Sequence, residues 1–154
     1  MKKPIIVAGC GRSGTHWLGN IFEQVMGEDK ARFEPPDPRQ ITEVVVDSRL
    51  RHRIRDFAGH RIIHLVRDGR DVVRSLDQWY RNTKSFAVVC KEWTDAVDSM
   101  AGYPIVRVED LNSDKAKDAT PTHIMSHWTE WDDAQTEEFW DLCGPHMKRM
   151  GYER

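Results

Sequence analysis

Residues 5–17 of this 154-residue chain read IIVAGCGRSGTHW, and this stretch carries the clearest prediction of the fold. A short apolar run rich in β-branched residues is typical of a buried parallel strand, and here the run stops at residues 9–11. Apolar residues at helical spacing follow from Thr15 to Met26, and Gly27 supplies a stop. The sequence therefore predicts a strand, a glycine-rich turn and a helix.

The glycine-rich turn is expected to bind a phosphate or a similar anion. In such a turn the backbone amides and the positive end of the helix dipole converge on one spot. The spacing from Gly9 to Gly14 fits GxxxxG, but Thr15 follows where an ATP-binding loop needs Lys and then Ser or Thr. The cation inside the turn is Arg12, whose fork-shaped guanidinium suits an oxyanion. A turn needed only for close packing requires no charge among its glycines, so we favour anion binding.

A second strand and helix repeat this arrangement later in the chain. Residues 61–66, RIIHLV, form a buried strand that runs into RDGRDVVRS at residues 67–75 and a helix over 68–80. Arg67 stands at the carboxyl end of the strand, the edge where open α/β sheets bind ligands. Ser75 follows about two helical turns later. We interpret this segment as a second anion site.

The remaining segments continue the alternation of strands and helices. Further strands are predicted near 32–34 and over 104–108, and further helices over 85–100 and 137–150. A proline-rich loop follows the first of these strands, a polar loop covers 114–118, and Thr120 and Pro121 resemble a helix start. This order predicts one α/β domain over residues 1–154, a three-layer sandwich with a central parallel sheet flanked by helices.

Composition and charge exclude several classes of protein. The chain is 39% hydrophobic and 31% charged, enough apolar residue for one core. Its net charge of -2 and the absence of a long apolar run argue against partners such as nucleic acid and membrane. The average hides nine arginines against four aspartates in residues 49–81, a net charge of +5. Three widely spaced cysteines favour a reduced, cytoplasmic protein, and residues 4–10 are too short for the core of a signal peptide.

Together the two anion-binding segments resemble the signature pair of the sulfotransferases that use 3′-phosphoadenosine-5′-phosphosulfate (PAPS). In that family a [K/R]-S-G-T-x-W turn forms the 5′-phosphosulfate loop, and residues 12–17 match it. A strand ending in R-D-P-R-D-x-x-x-S holds the 3′-phosphate, and residues 67–75 match it with Gly69 in place of proline. Residues 106–111, VRVEDL, are similar to a weaker third motif, and residues 33–35, FEP, resemble a segment of carbohydrate sulfotransferases.

The resemblance implies a fold like that of the P-loop NTPases, with PAPS as the sulfuryl donor, PAP as the product and no metal ion. Arg12 would stabilise the charge on the leaving 5′-phosphate, Trp17 would stack on the adenine, and Arg67 and Ser75 would hold the 3′-phosphate. A core position on the first helix is the alternative for Trp17. The implied cofactor-binding residues are Gly11, Arg12, Ser13, Gly14, Thr15, His16, Trp17, Arg67 and Ser75.

Sulfuryl transfer also needs a base that deprotonates the acceptor hydroxyl. Glu34 is the candidate for this catalytic role beside Arg12, and a surface carboxylate in a proline-rich loop is the alternative. Asp37 and Glu43 are substitutes, and His52 and His60 stay open as residues of the cleft. A P-loop kinase or a non-catalytic PAP-binding module are the competing functions.

Two departures from the family concern partners. The glycine- and lysine-rich C-terminal motif of the cytosolic small-molecule enzymes, which adds a cation to the 3′-phosphate, is absent, and the last third of the chain is acidic. The short chain also leaves little sequence for recognising an acceptor. We therefore expect a small-molecule or carbohydrate acceptor, or a pocket completed by a second subunit in a homo-oligomer.

Overall fold

Five parallel strands form one sheet in the order β2-β3-β1-β4-β5, in a computed structural model that describes residues 3–41, 43–81, 83–111 and 130–154. The strands are β1 (Ile5–Ala8), β2 (Ala31–Phe33), β3 (Val44–Val46), β4 (Arg61–Val66) and β5 (Ile105–Arg107). The α-helices are α1 (Thr15–Met26), α2 (Gly69–Tyr80), α3 (Phe86–Ser99) and α4 (Asp133–Arg149). Short 3₁₀ helices cover Pro38–Gln40, Ser48–Phe57 and Val108–Leu111.

Strand β1 lies at the centre of the sheet, and its alternate residues face opposite layers. Successive side chains of a strand point to opposite faces, so Ile6 and Val7 enter different apolar clusters. The first cluster joins the sheet to the 3₁₀ helix Ser48–Phe57. It includes Ile6, Val45, Leu50, Ile54, Phe57, Ile62 and Met100. The second joins the sheet to α1 and includes Val7, Trp17, Leu18, Val44, Val46 and Leu65. Both faces of the sheet are therefore covered, and the predicted α/β fold class is confirmed.

The third cluster packs α2, α3 and α4 together. Trp93 and Phe139 are the largest of its fully buried side chains, and their ring centroids lie 6.3 Å apart. Helix α4 begins earlier than the predicted residue 137, because the Asp132 carboxylate accepts a hydrogen bond from the Gln135 amide and caps the helix at its start.

None of the helices in the described part of the chain is long and apolar enough to span a membrane.

Strand β3 and the 3₁₀ helix after it are not predicted from the sequence. The signal was the run Val44–Val46, but three residues are too few for a period to show. The strand exists because it pairs on both sides, with Val45 opposite Ile6 of β1 and Arg32 of β2. The predicted loop over 114–118 and the helix start at Thr120 and Pro121 lie outside the described residues.

Candidate functional site

The turn between β1 and α1 is held close to β4. A Cβ atom on Gly9 would lie 2.2 Å from the carbonyl oxygen of Leu65, so only glycine fits there. The Ser13 amide donates a 3.1 Å hydrogen bond to the carbonyl of Cys10, which closes the turn. Gly14 has a left-handed φ of 84° and leads into α1 without a side-chain cap. The first amides of α1 therefore have no capping side chain, the arrangement that binds anions at helix starts.

Arg12 links this turn to the second predicted anion segment. Its backbone is left-handed, with a φ of 68°, and its Nε donates a 2.8 Å hydrogen bond to Ser75 Oγ on α2. Its guanidinium also lies 5.5 Å from the ring centroid of Trp79. The two segments that the sequence analysis proposed as separate anion sites meet at this contact.

A cleft of about 510 Å³ opens at the same contact. Its lining residues come from the turn and from the end of α2, and they are Arg12, Ser75, Gln78, Trp79 and Arg81. The Trp79 side chain is 67% exposed, which is unusual for a residue of this size. The cleft is therefore surrounded by two arginines, the Ser75 hydroxyl and the exposed indole ring of Trp79.

Arg67 lies at the carboxyl end of β4, as predicted, but outside the lining of this cleft. Its Nη2 is 3.4 Å from Asp71 Oδ2, and both side chains are buried. Arg70 is also paired, with the Asp68 carboxylate at 2.6 Å. The Asp68 side chain in addition accepts from the Arg70 amide and caps α2. Much of the positive charge expected in this segment is thus offset by its own aspartates.

The other residues of the glycine-rich turn differ widely in exposure. Ser13 and Thr15 are buried, with 1% and 4% exposure, and the Ser13 amide is already bonded to the Cys10 carbonyl. Gly11 is open, since a Cβ atom there would meet nothing within 4 Å. Trp17 is 8% exposed and packs in the core cluster of α1. The ring of His16 stacks on Phe33 with centroids 4.7 Å apart.

Glu34 lies directly after β2, on the opposite side of the glycine-rich turn from the contact between Arg12 and Ser75. Its backbone is left-handed, with a φ of 44°, and its amide donates to the Val46 carbonyl. Its carboxylate accepts a 2.8 Å hydrogen bond from Ser48 Oγ and lies 3.9 Å from Arg49 Nε. The structure therefore places Glu34 at the carboxyl edge of the sheet and fixes the direction of its side chain.

Asp47 is a buried carboxylate at this edge that the sequence analysis missed. It is 1% exposed and accepts two hydrogen bonds from the Arg49 guanidinium, at 2.9 and 2.7 Å. It also accepts from the Arg49 amide and so begins the 3₁₀ helix. A polar residue directly after three valines was the available signal.

Glu109, which follows β5, contacts the start of the second predicted anion-binding segment, residues 67–75. Its carboxylate accepts hydrogen bonds from the Asp68 amide at 2.8 Å and from the Tyr152 hydroxyl at 2.9 Å. Burial and the nearby Glu109 carboxylate raise the pKa of Tyr152 well above its ordinary value. The tyrosine therefore stays a hydrogen-bond donor at all physiological pH values.

The other titratable residues near the turn or named as candidates do not line the cleft. Burial raises the pKa of Cys10 to about 12, so its thiol is no nucleophile at neutral pH. His60 precedes β4 and lies at the opposite edge of the sheet from the glycine-rich turn. His52 lines a different groove, beside Lys84 and Lys91. Within the described ranges, no group of three or more His, Cys, Asp or Glu side chains is placed to hold a metal ion.

Comparison with solved structures identifies the fold. A crystal structure of mouse sulfotransferase SULT7A1 complexed with PAP superposes with a TM-score of 0.65 and 13% sequence identity. The match covers 96% of this chain and 86% of the mouse chain. No protein-family profile and no curated protein sequence matches the chain. The chain therefore has the fold of the PAPS-dependent sulfotransferases.

Proposed function

We propose that this protein is a sulfotransferase that uses PAPS and an acceptor hydroxyl on a small molecule or a carbohydrate. The contact between Arg12 Nε and Ser75 Oγ carries the proposal. Arg12 belongs to the segment that resembles a 5′-phosphosulfate loop, and Ser75 to the one that resembles a 3′-phosphate site. Their meeting at one cleft suits a ligand with two anionic groups close together. The mouse sulfotransferase of the same fold was solved with such a ligand, PAP.

The residues present fit a nucleotide of this kind. The open side of Gly11 leaves room for an anion against the first amides of α1. Arg12 has no ion pair within the described part of the chain, so its charge is available to a ligand. Arg67, which is paired with Asp71, would help Ser75 hold the 3′-phosphate from the carboxyl end of β4. Trp17, which is 8% exposed and packs in the core, leaves little of its surface for contact with a base.

When bound, PAPS would supply a sulfuryl group attached to a good leaving group, the 5′-phosphate. Arg12 and the amides of residues 14–16 would neutralise the charge that develops on that phosphate. Glu34 would take the proton of the acceptor hydroxyl, whose oxygen forms the new bond to sulfur as the bond to the phosphate oxygen breaks. Ser48 donates to one oxygen of Glu34 and holds the carboxylate in one direction. The products are PAP and the sulfate ester of the acceptor.

Calorimetric titration with PAP, and separately with ATP and magnesium, tests the donor. We expect PAP to bind the wild-type protein and Arg12→Ala to weaken this binding by about a hundredfold, as loss of a charge-assisted contact does. Arg55→Ala is the control, since Arg55 is exposed and does not line the cleft. Tight binding of ATP without binding of PAP would instead make the protein a kinase.

Glu34→Gln tests the catalytic half of the proposal. We expect this variant to bind PAP within about twofold of wild type, because Glu34 lies on the other side of the turn. Turnover of PAPS with a panel of phenols, alcohols and sugars should fall by about a hundredfold or more. Binding of PAP without turnover of any acceptor by the wild-type protein would favour a non-catalytic PAP-binding module.

A further inference from the structure

Backbone strain singles out a third residue beside the two proposed catalytic ones. Within the described ranges, three residues other than glycine have a left-handed backbone: Arg12 at φ 68°, Glu34 at 44° and Arg81 at 47°. The other left-handed positions among the described residues are glycines, including Gly14 and Gly27. A non-glycine residue in this region costs free energy, and such residues cluster at functional sites.

Arg81 ends helix α2, where a left-handed residue is common but is usually glycine. Its amide donates a 3.2 Å hydrogen bond to the Gln78 carbonyl, which a glycine would do equally well. The end of the helix thus accounts for the backbone conformation of residue 81 but not for the choice of arginine.

The side chain of Arg81 lines the same cleft as Arg12. Arg81 is exposed, and no carboxylate of the described residues pairs with it. The arginines of the motif on the same helix differ, since Arg70 pairs with Asp68 and Arg74 with Glu130. The arginine without a carboxylate partner among the described residues, Arg81, therefore lies at the cleft, whereas Arg70 and Arg74 of the motif are paired.

We propose that Arg81 is a second anion-binding residue of the cleft and contacts the 3′-phosphate of PAP rather than its 5′-phosphate. This inference rests on the proposed function. It accounts for a nucleotide with two phosphates in a chain whose C-terminal third is acidic, because Arg81 supplies a cation from α2 instead. Trp79, which lies two residues before Arg81 and is 67% exposed, gives the cleft an aromatic wall next to this charge.

Titration of Arg81→Gly and Arg81→Gln with PAP tests the inference. We expect both variants to bind PAP about tenfold more weakly than wild type, as loss of one exposed charged contact predicts. Arg81→Gly should melt at the same or a higher temperature, because glycine adopts the left-handed backbone without strain. Arg81→Lys should recover part of the affinity. Arg55→Gln, which removes an exposed arginine away from the cleft, is the matched control.

Adenosine 5′-monophosphate separates the two phosphates in the same experiment. Since this ligand lacks the 3′-phosphate, its affinity should change less than about twofold in Arg81→Gly. PAP affinity equal to wild type in both Arg81 variants would overturn the inference and leave the proposed function intact. An equal loss of affinity for both nucleotides would also overturn the inference, since Arg81 would then contact a part that PAP and adenosine 5′-monophosphate share. Failure of the wild-type protein to bind PAP would overturn the proposed function and this inference together.

Discussion

Arg12 Nε and Ser75 Oγ lie 2.8 Å apart although 63 positions separate the two residues in the chain. The contact exists because β1 and β4 are neighbours in the sheet and both strands run in the same direction. The turn after β1 and the helix after β4 therefore meet at the same edge. A hydroxyl and a guanidinium that touch each other in this way can both turn toward one anionic ligand.

Ser75→Ala is expected to reduce PAP affinity by about tenfold without unfolding the protein, since it removes one hydrogen-bond donor from the cleft. Calorimetric titration measures the affinity. Ser99→Ala is the control, because the Ser99 hydroxyl bonds to the Ala96 carbonyl of its own helix and does not line the cleft. The same PAP affinity in Ser75→Ala and Ser99→Ala would contradict a role for the Ser75 hydroxyl.

Gly9 and Gly11 are expected to respond differently to the same substitution. A Cβ at residue 9 would lie 2.2 Å from the backbone oxygen of Leu65, so Gly9→Ala should destabilise the fold by several kcal/mol. A Cβ at residue 11 meets nothing within 4 Å, so Gly11→Ala should melt within a few degrees of wild type. The Gly11→Ala methyl should instead weaken PAP binding, because it occupies the proposed ligand space. Equal melting temperatures for the two variants would contradict this account of the turn.

Asp47→Ala is expected to lower the free energy of unfolding by about 2 kcal/mol. The substitution removes the cap of the 3₁₀ helix and both hydrogen bonds to the Arg49 guanidinium. Asp56→Ala is the control, since Asp56 pairs with Arg53 through exposed side chains and should change stability by less than about 0.5 kcal/mol. Urea unfolding measures both values, and similar losses would show that burial of Asp47 adds nothing.

His64 should make the fold sensitive to acid. Burial in β4, and secondarily the Arg149 charge, lower its pKa from 6.5 to about 4. Because the folded state binds this proton less readily than the unfolded state, the contribution is present above pH 6.5 and is lost as the pH falls toward 4. The loss attributable to His64 should reach about 2 kcal/mol between about pH 7.5 and pH 5.

Urea unfolding at both pH values tests this, with His64→Gln compared to wild type. The variant should lose less stability on acidification, whatever its stability at neutral pH. Burial and the neighbouring Arg51 charge also lower the pKa of His52, but this residue is exposed, so His52→Gln should change the pH dependence much less than His64→Gln. If His64→Gln kept the wild-type pH dependence, another group would be responsible for the loss.

The elements that carry a long or strongly patterned signal could be predicted from the sequence. The β-branched run before Gly9, the helical spacing after Gly14 and the run RIIHLV from Arg61 each reflect local steric preferences and local periodicity. These are properties of neighbouring residues, so they are readable without the fold. The alternation of strand and helix then leaves a parallel sheet as the predicted architecture.

Which side chains contact each other could be seen only in the folded structure. Three valines become strand β3 only because β1 and β2 supply hydrogen-bond partners on both sides. Arg67 and Arg81 look alike in sequence, yet one is buried against Asp71 and the other is exposed at the cleft. The contact between Arg12 and Ser75 likewise depends on the pairing of β1 with β4. Pairing of charges and burial depend on distances through space, which the order of residues along the chain does not specify.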